Sequence, residues 1–294
     1  MIQVSETNYL TTKEVARLCR VSDATVKRWE DAGLLKSERT SGKHRRFRAE
    51  EVARFQREQG LGQKTCHGDQ SVLSSMVRRK NLACSNSTLL DLLVSGCEEE
   101  TANFMIGTFL QGTELTDIFD DLLSPAMRKI GELWYSGELS VAQEHLASRA
   151  AHYGVHKLRT SLPLPEMKGK TAFCAAIEGD LHELPAYLAQ VTIENEGWEV
   201  MNFGANTPFF SLNDEVQQYS PNAICLSATY ITELERVSRD YKAFHERAQK
   251  LKIPIVLGGK PFEDDNVRRR FPADLYAESY AEVAHFIEQL EEKF

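Results

Sequence analysis

The sequence of 294 residues contains no apolar run near the roughly 18 residues that a membrane-spanning helix requires. Its first residues, MIQVSETNYL, lack the basic-then-apolar order of a secretory signal. These two absences exclude the membrane-embedded class and lead us to expect a cytoplasmic protein. Because 42% of the residues are hydrophobic and 27% are charged, the composition also excludes a disordered chain.

The sequence also lacks any CxxC pair. Its cysteines are scattered over the chain, at Cys19, Cys66, Cys84, Cys97, Cys174 and Cys225. This spacing argues against a disulfide framework and against a zinc site built from thiolates. We therefore interpret most of the cysteines as small buried hydrophobic residues.

Positive charge is scarce overall, since the net charge is -8, but it is unevenly distributed. Residues 1–60 carry 13 Lys+Arg against 9 Asp+Glu, a balance of +4, so the remaining residues carry -12. Only the N-terminal segment is therefore suited to contact phosphates, and the acidic remainder would be repelled by them.

Composition and periodicity predict a multidomain chain. We predict a DNA-binding domain at 1–60, a glycine-containing linker at 61–70, a four-helix bundle at 71–165 and an α/β domain at 166–294. In the helical segment, apolar residues recur at three- and four-residue steps, and Pro125 predicts a kink or a break in the third helix.

The last segment changes to short apolar runs that alternate with amphipathic stretches. Such runs predict a parallel sheet with helices on both faces, in a flavodoxin-like (Rossmann-type) fold. Ligands in this architecture bind at the carboxyl ends of the strands. The five runs are TAFCAAI, WEVMNFG, AICLSAT, IPIVLGG and DLYAE.

Two short helices near the N-terminus have the spacing of a helix-turn-helix motif. Thr11 and Glu14 suit a capping box for the first helix, Ser22 suits the N-cap of the second, and Gly33 suits its end. The second helix would enter the major groove of DNA. Its predicted DNA-facing residues are Thr25, Lys27 and Arg28.

A basic hairpin around Gly42 follows, and it predicts a clamp on phosphates or the minor groove. Its basic residues are Arg39, Lys43, His44, Arg45 and Arg46. The segments Tyr9–Thr12, Thr25–Trp29 and His44–Phe47 resemble the MerR and excisionase families, which implies a winged helix-turn-helix. The alternative is a solvated charged face on a small helical domain.

The loop after the first strand of the α/β segment reads EGDLHELP and places His182 at the predicted ligand crevice. A neutral imidazole can bind a transition metal, and Asp180 could hold its other ring nitrogen. Taken alone, a histidine in such a loop is more often a capping or solvent-facing residue.

Small residues end two further strands at the same predicted edge, namely Ser227 in LSAT and the pair Gly258 and Gly259 in IVLGG. Together with the histidine loop, they resemble the cobalamin-binding domain, whose pattern is DxHxxG, then SxL, then GG. The resemblance implies that His182 is the lower axial cobalt ligand and Asp180 its hydrogen-bond partner, and that the small residues flank the nucleotide tail. One departure is Pro185, which stands where the family has glycine and could weaken binding.

The helical segment contains Trp134, nine further residues, and then Glu144 and His145. With this motif, the chain resembles the light-sensing CarH/LitR regulators along essentially its whole length. The resemblance implies that Trp134 packs against the adenosyl group of adenosylcobalamin, with Glu144 and His145 completing the site. The alternative is a core tryptophan beside a surface Glu-His pair. The family has a histidine where this chain has Tyr135, so light sensitivity is an open question at this position.

The resemblance implies a repressor whose adenosylcobalamin-bound form assembles on double-stranded operator DNA as a dimer or tetramer, with light causing release. Three alternatives stay open. One is a corrinoid enzyme component, which would leave the helix-turn-helix unexplained and for whose barrel 294 residues leave no room. The others are a cofactor-free MerR regulator and a regulator that senses a corrinoid in the dark.

Overall fold

The computed structural model of the protein describes residues 9–40, 42, 44–59 and 87–292. The chain divides into two compact units, Met1–Pro163 and Leu164–Phe294. The predicted linker at 61–70 and the predicted DNA contact Lys43 lie outside the described residues, as do Cys66 and Cys84. The domain limits that we predicted stay predictions.

The N-terminal part of the first unit is a helix-turn-helix followed by an antiparallel hairpin. Its three-stranded sheet has the order β1-β3-β2. The elements are β1 (Tyr9–Thr11), α1 (Thr12–Leu18), α2 (Asp23–Asp31), β2 (Glu38–Arg39), β3 (Arg45–Arg48) and α3 (Ala49–Glu58).

Local sequence explains why α1 and α2 form. Thr11 and Glu14 make the predicted capping box, and the hydroxyl of Ser22 accepts a hydrogen bond from the backbone of Thr25. On the inner side of α2, Val26 is fully buried, and Trp29 packs on Phe55 with ring centroids 4.7 Å apart. The prediction of a helix-turn-helix at the N-terminus is therefore confirmed.

Helices make up the described remainder of the first unit. They are α4 (87–94), α5 (Glu98–Leu110), α6 (Leu115–Asp117), a π-helical turn (Ile118–Leu123), α7 (Ser124–Tyr135) and α8 (Val141–Ser161). A Cβ placed on Gly154 would lie 3.0 Å from side-chain atoms of Met105 and Thr101, so this glycine permits the close approach of α5 and α8. Arrangement as a four-helix bundle stays a prediction.

Pro125 causes a local change in the helix rather than a break. It occupies the first turn of α7, directly after the π-helical turn Ile118–Leu123. A proline ring clashes with the carbonyl four residues before it in a regular α-helix. The wider π-helical turn contains that residue, Asp121, and thereby lets helical backbone continue from α6 into α7.

The helix-turn-helix packs on this helical region through α3. A Cβ placed on Gly107 of α5 would lie 3.6 Å from the Cβ of the buried Ala49. Next to it, Glu50 accepts a hydrogen bond from Lys157 of α8 at 2.7 Å, and both side chains are about two-thirds shielded. Hydrogen bonding to Glu50 raises the pKa of Lys157, which keeps this ion pair charged.

The second unit is the predicted parallel sheet with helices on both faces. Its strand order, β5-β4-β6-β7-β8, is flavodoxin-like. The elements are β4 (Thr171–Ala176), α9 (Leu184–Asn195), β5 (Glu199–Asn202), α10 (Phe209–Tyr219), β6 (Ala223–Ser227), α11 (Leu234–Leu251), β7 (Ile255–Gly258), α12 (Asp265–Arg268), β8 (Leu275–Ala277) and α13 (Tyr280–Glu292).

Alternate residues of the strands feed two hydrophobic cores, one on each face of the sheet. Phe173 and Leu226 pack into the core that contains α10 and α11 residues, whereas Cys174 and Cys225 pack toward α13. Both cysteines are free and buried, as predicted for small hydrophobic residues. Within the described ranges, no helix is both long and apolar enough to span a membrane.

Candidate cofactor-binding and DNA-binding sites

His182 lies in the loop between β4 and α9, at the carboxyl edge of the sheet. Its Nδ1 is 2.8 Å from Oδ1 of Asp180, and the same carboxylate oxygen accepts the backbone N–H of His182 at 2.9 Å. The Asp180 side chain is fully buried, whereas the His182 side chain is half exposed. Because Asp180 occupies the Nδ1 side, Nε2 is the ring nitrogen that would approach a metal.

The second oxygen of Asp180 faces the neighbouring strand. It accepts a hydrogen bond from the backbone N–H of Thr229, which follows β6. Burial raises the pKa of Asp180, but the hydrogen bonds from His182 and Thr229 outweigh it and hold that pKa below its usual range. Asp180 is therefore an anion that can fix the tautomer of His182 and increase its basicity as a ligand.

Neighbouring loops hold the histidine loop in place. Asn206, which has a left-handed φ of 52°, accepts the backbone N–H of Gly179 at its side chain and donates its own N–H to the carbonyl of Asp180, both at 2.8 Å. Arg236 of α11 donates to Glu178 at 2.6 Å. The loop is thus attached at three points before any ligand binds, which reduces the ordering cost of binding.

A row of small residues crosses four strands beside this loop. In register, Ala176 pairs with Ser227, Ser227 with Gly258, and Gly258 with Ala277. The Ser227 side chain is buried, and its hydroxyl oxygen has no hydrogen-bond partner among the described residues. A buried hydroxyl of this kind requires a partner to recover the cost of its desolvation, so the row suits a ligand with polar atoms.

Gly259 permits a close backbone approach. Its φ is 111°, and a Cβ there would overlap the carbonyl oxygen of Ala228. Glycine is therefore required at position 259, because the backbone after β7 packs directly against the backbone after β6, whether or not a ligand is present.

We expect Gly259→Ala to lower the free energy of unfolding by about 2–4 kcal/mol, because it combines backbone strain with a steric overlap. Urea denaturation of the purified protein measures this change. Gly169→Ala is the control, since Gly169 also has a positive φ of 65°, but a Cβ on it would have no atom within 4 Å beyond its chain neighbours. Equal losses in the two variants would contradict the steric argument.

These residues fit the corrinoid that the sequence resemblance implies. No cluster of three or more metal-binding side chains occurs in the described ranges. A corrinoid brings its own metal ion, so one imidazole with a fixed tautomer, that of His182, would be sufficient to hold it. The unpartnered hydroxyl of Ser227 lies in the row of small residues, where a polar nucleotide tail would be accommodated.

Pro185 causes no strain in the loop. It occupies the second position of α9, where the backbone N–H of a helix has no intrahelical partner. The loop therefore accommodates proline at this position, and whether proline weakens binding of the cofactor stays a prediction.

The three residues predicted to cap the cofactor lie on two consecutive helices, α7 and α8, of the first unit. Trp134 is the second-last residue of α7 and is 47% exposed, and Tyr135, the last residue, is almost fully exposed. Glu144 and His145 lie in the first turns of α8, where Glu144 accepts a hydrogen bond from Ser148 at 2.6 Å and is 3.6 Å from His145. Trp134 is thus only partly buried, unlike the core tryptophan of the alternative interpretation, and its role at a cofactor stays a prediction.

The predicted recognition helix presents its charged side to solvent. Lys27 and Arg28 are exposed, and Arg28 donates to the hydroxyl of the half-buried Thr25 at 3.2 Å. The opposite side of α2 is held by Val26 in the core. Both cations are therefore available to phosphates or base edges.

The hairpin residues differ in their surroundings. Arg45 pairs with Glu30 and Asp31 of α2, and Arg39 lies 3.4 Å from Glu30. Ser37 and Arg45 hold the pKa of Glu30 below its usual range against the opposing effect of burial. Arg45 thus links the hairpin to α2. Of the hairpin residues predicted to contact DNA, His44 and Arg46 have no described carboxylate partner.

Sequence reasoning missed Thr229, Asn206 and Arg236 as supports of the histidine loop. Thr229 acts through its backbone, which no side-chain motif reveals. Asn206 lies in the turn GANTP, and an asparagine between glycine and proline is a signal for a left-handed turn. That signal could have been found.

Comparisons with known proteins agree with this geometry. Residues 9–60 match a family model described as a helix-turn-helix domain, and residues 87–159 and 170–285 match models described as a B12 binding domain. Dimethylamine corrinoid proteins 1 and 2 of Methanosarcina mazei are 22% and 23% identical to this chain. These two alignments cover 65% and 66% of this chain, and 88% and 91% of the relatives.

A solved structure shows the same fold. The monomethylamine corrinoid protein of Methanosarcina barkeri superposes with a TM-score of 0.58 at 20% identity, covering 70% of this chain and 96% of that protein. The chain therefore joins an N-terminal helix-turn-helix domain to B12-binding domains, and this combination fits a cobalamin-binding, DNA-binding regulator that is not an enzyme.

Proposed function

We propose that the protein is a MerR-type repressor that binds adenosylcobalamin and uses it as a light sensor. The observation that carries the proposal is the hydrogen-bonded chain from Thr229 through the buried Asp180 to His182, in a polypeptide that also has a helix-turn-helix. His182 would hold the cobalt, Asp180 would orient His182, and Ser227, Gly258 and Gly259 would flank the nucleotide tail. Trp134, Glu144 and His145 would enclose the adenosyl group.

When bound, adenosylcobalamin would supply a cobalt–carbon bond that light can break. The protein's own contribution would be to pack the partly exposed indole of Trp134 against the adenosyl group. Ligand state can change DNA affinity only if ligand and DNA favour the same arrangement of the protein. In our proposal that arrangement is a self-assembled dimer or tetramer.

Helix α8 offers a direct route from the cofactor-facing residues to the DNA-binding domain. It carries Glu144 in its first turn and Lys157 near its end, so the two residues are about 20 Å apart on one continuous helix. Lys157 pairs with Glu50 at the start of α3, and α3 follows the hairpin strand β3 directly. A displacement of α8 would therefore reach the hairpin through α3.

We expect Lys157→Glu to weaken the effect of adenosylcobalamin on DNA affinity about fivefold, because it places two carboxylates together at the α3 contact. The charge exchange, Glu50→Lys with Lys157→Glu, should restore the effect. Fluorescence anisotropy with duplex DNA measures both. Arg149→Glu is the matched control on the same helix, since Arg149 pairs at 3.0 Å with Glu98 and not with the helix-turn-helix. A double variant that behaves like Lys157→Glu would contradict the route.

A second candidate is a regulator that senses a corrinoid without light. The observation that favours it is Tyr135, whose exposed phenol stands where the light-sensing family has histidine. Imidazole is the commonest metal ligand among side chains, so a phenol at this position is a poor replacement.

The absorption spectrum of protein purified in darkness with adenosylcobalamin tests the proposal. The spectrum and the particle size are recorded before and after green light, for the wild type and for His182→Ala. A bound spectrum that changes together with size supports the light sensor. Bound cobalamin that is indifferent to light supports the second candidate, and absence of binding would contradict both.

A further inference from the structure

Tyr230 lies directly against the histidine at the cofactor site. The rings of Tyr230 and His182 are 5.5 Å apart between centroids and almost perpendicular, at 86°. This is the edge-to-face arrangement that aromatic rings prefer. Tyr230 follows Thr229 in the segment between β6 and α11.

The same short segment makes successive contacts with the histidine loop. Thr229 donates its backbone N–H to Asp180, and Tyr230 packs its ring on His182. Two residues later, the hydroxyl of Thr232 lies so close to Gly179 that a Cβ on that glycine would require it to move. One segment therefore contacts the carboxylate and the imidazole and lies close to the backbone of the loop.

Two of the contacts on His182 restrict different motions of the ring. The hydrogen bond from Asp180 to Nδ1 fixes one ring edge, but the imidazole can still tilt about that bond. A perpendicular aromatic ring at 5.5 Å limits this tilt. Asp180 and Tyr230 therefore both contribute to the direction in which Nε2 points.

We propose that Tyr230 is a positioning residue that aims the Nε2 atom of His182 at the cobalt of the bound corrinoid. The inference rests on the proposed corrinoid site and deepens it, since Tyr230 acts only through His182. The ring, and not the phenolic hydroxyl, is the part that matters. Phenylalanine at position 230 should therefore replace tyrosine, whereas an aliphatic side chain should not.

Electron paramagnetic resonance of the protein loaded with cob(II)alamin tests this inference. With histidine labelled by nitrogen-15, a protein imidazole bound to cobalt splits the spectrum into doublets, whereas the cofactor's own base gives triplets. We expect doublets in the wild type and in Tyr230→Phe. In Tyr230→Leu, which keeps apolar bulk without a ring, the doublet signal should fall and the dissociation constant for hydroxocobalamin should rise about two- to tenfold.

Phe210→Leu is the matched control, because Phe210 is an exposed aromatic residue at the start of α10 in the same unit. It should leave both readouts unchanged. Full doublets in Tyr230→Leu would overturn the positioning role while leaving the corrinoid site intact. Triplets in the wild type, or no binding of hydroxocobalamin by it, would overturn the proposed ligation by His182 and the positioning role together.

Discussion

Substitution of His182 by alanine is expected to weaken binding of cobalamin about 100-fold, because it removes the only proposed bond from the protein to cobalt. Asp180→Asn should weaken it about tenfold, the lower end of what loss of a ligand's hydrogen-bond partner costs. Titration of the protein with hydroxocobalamin, followed by absorbance, measures both constants.

His285→Ala is the matched control for these variants. His285 lies on α13 of the same unit, is largely exposed and has a carboxylate, Glu288, at 3.7 Å. It therefore reproduces a histidine–carboxylate pair outside the proposed site. If His182→Ala bound cobalamin with the affinity of the wild type, the assignment of His182 as the cobalt ligand would be wrong.

Reversal of the two exposed charges on the recognition helix, Lys27→Glu with Arg28→Glu, is expected to lower affinity for duplex DNA more than about 100-fold at low salt. In the wild type, both cations would release counterions from the DNA phosphates. In the variant, the slope of log K against the logarithm of the salt concentration should therefore become less steep, by about 1.8. Fluorescence anisotropy over a series of salt concentrations gives both quantities.

The matched control is Lys129→Glu with Arg149→Glu, which makes the same change in net charge on α7 and α8. If this control lost as much affinity as the recognition-helix variant, overall charge rather than the helix would explain DNA binding. We expect it to change the affinity less than about threefold, because exposed charges far from the DNA are screened.

Features that depend on residues close together in the chain could be predicted from the sequence. The capping box of Thr11 and Glu14 and the N-cap Ser22 could be predicted, because each depends on residues within one helical turn. The five strands could be predicted because both faces of a parallel sheet are buried, which produces continuous apolar runs. The contact of Asp180 with the ring of His182 also depends on residues two positions apart.

Contacts between distant segments could not be predicted. The pairing of β4 with β6 brings Thr229 to Asp180, and no motif in one sequence encodes that neighbour. Folding of the hairpin onto α2 brings Arg45 to Glu30, so a residue predicted to contact phosphates also has an internal partner. The contact of α3 with α5 and α8 likewise depends on tertiary packing, and Gly107 gave no sign of it in the sequence.

The most direct test of the central claim is the affinity for DNA with and without adenosylcobalamin in darkness. The DNA would be a duplex that the protein itself selects from genomic fragments, and the measurement would be fluorescence anisotropy of the wild type and of His182→Ala. We expect the cofactor to change the wild-type dissociation constant about tenfold or more, and to have no effect on His182→Ala. Equal wild-type affinities with and without bound cofactor would contradict the account, since the two sites would then be uncoupled.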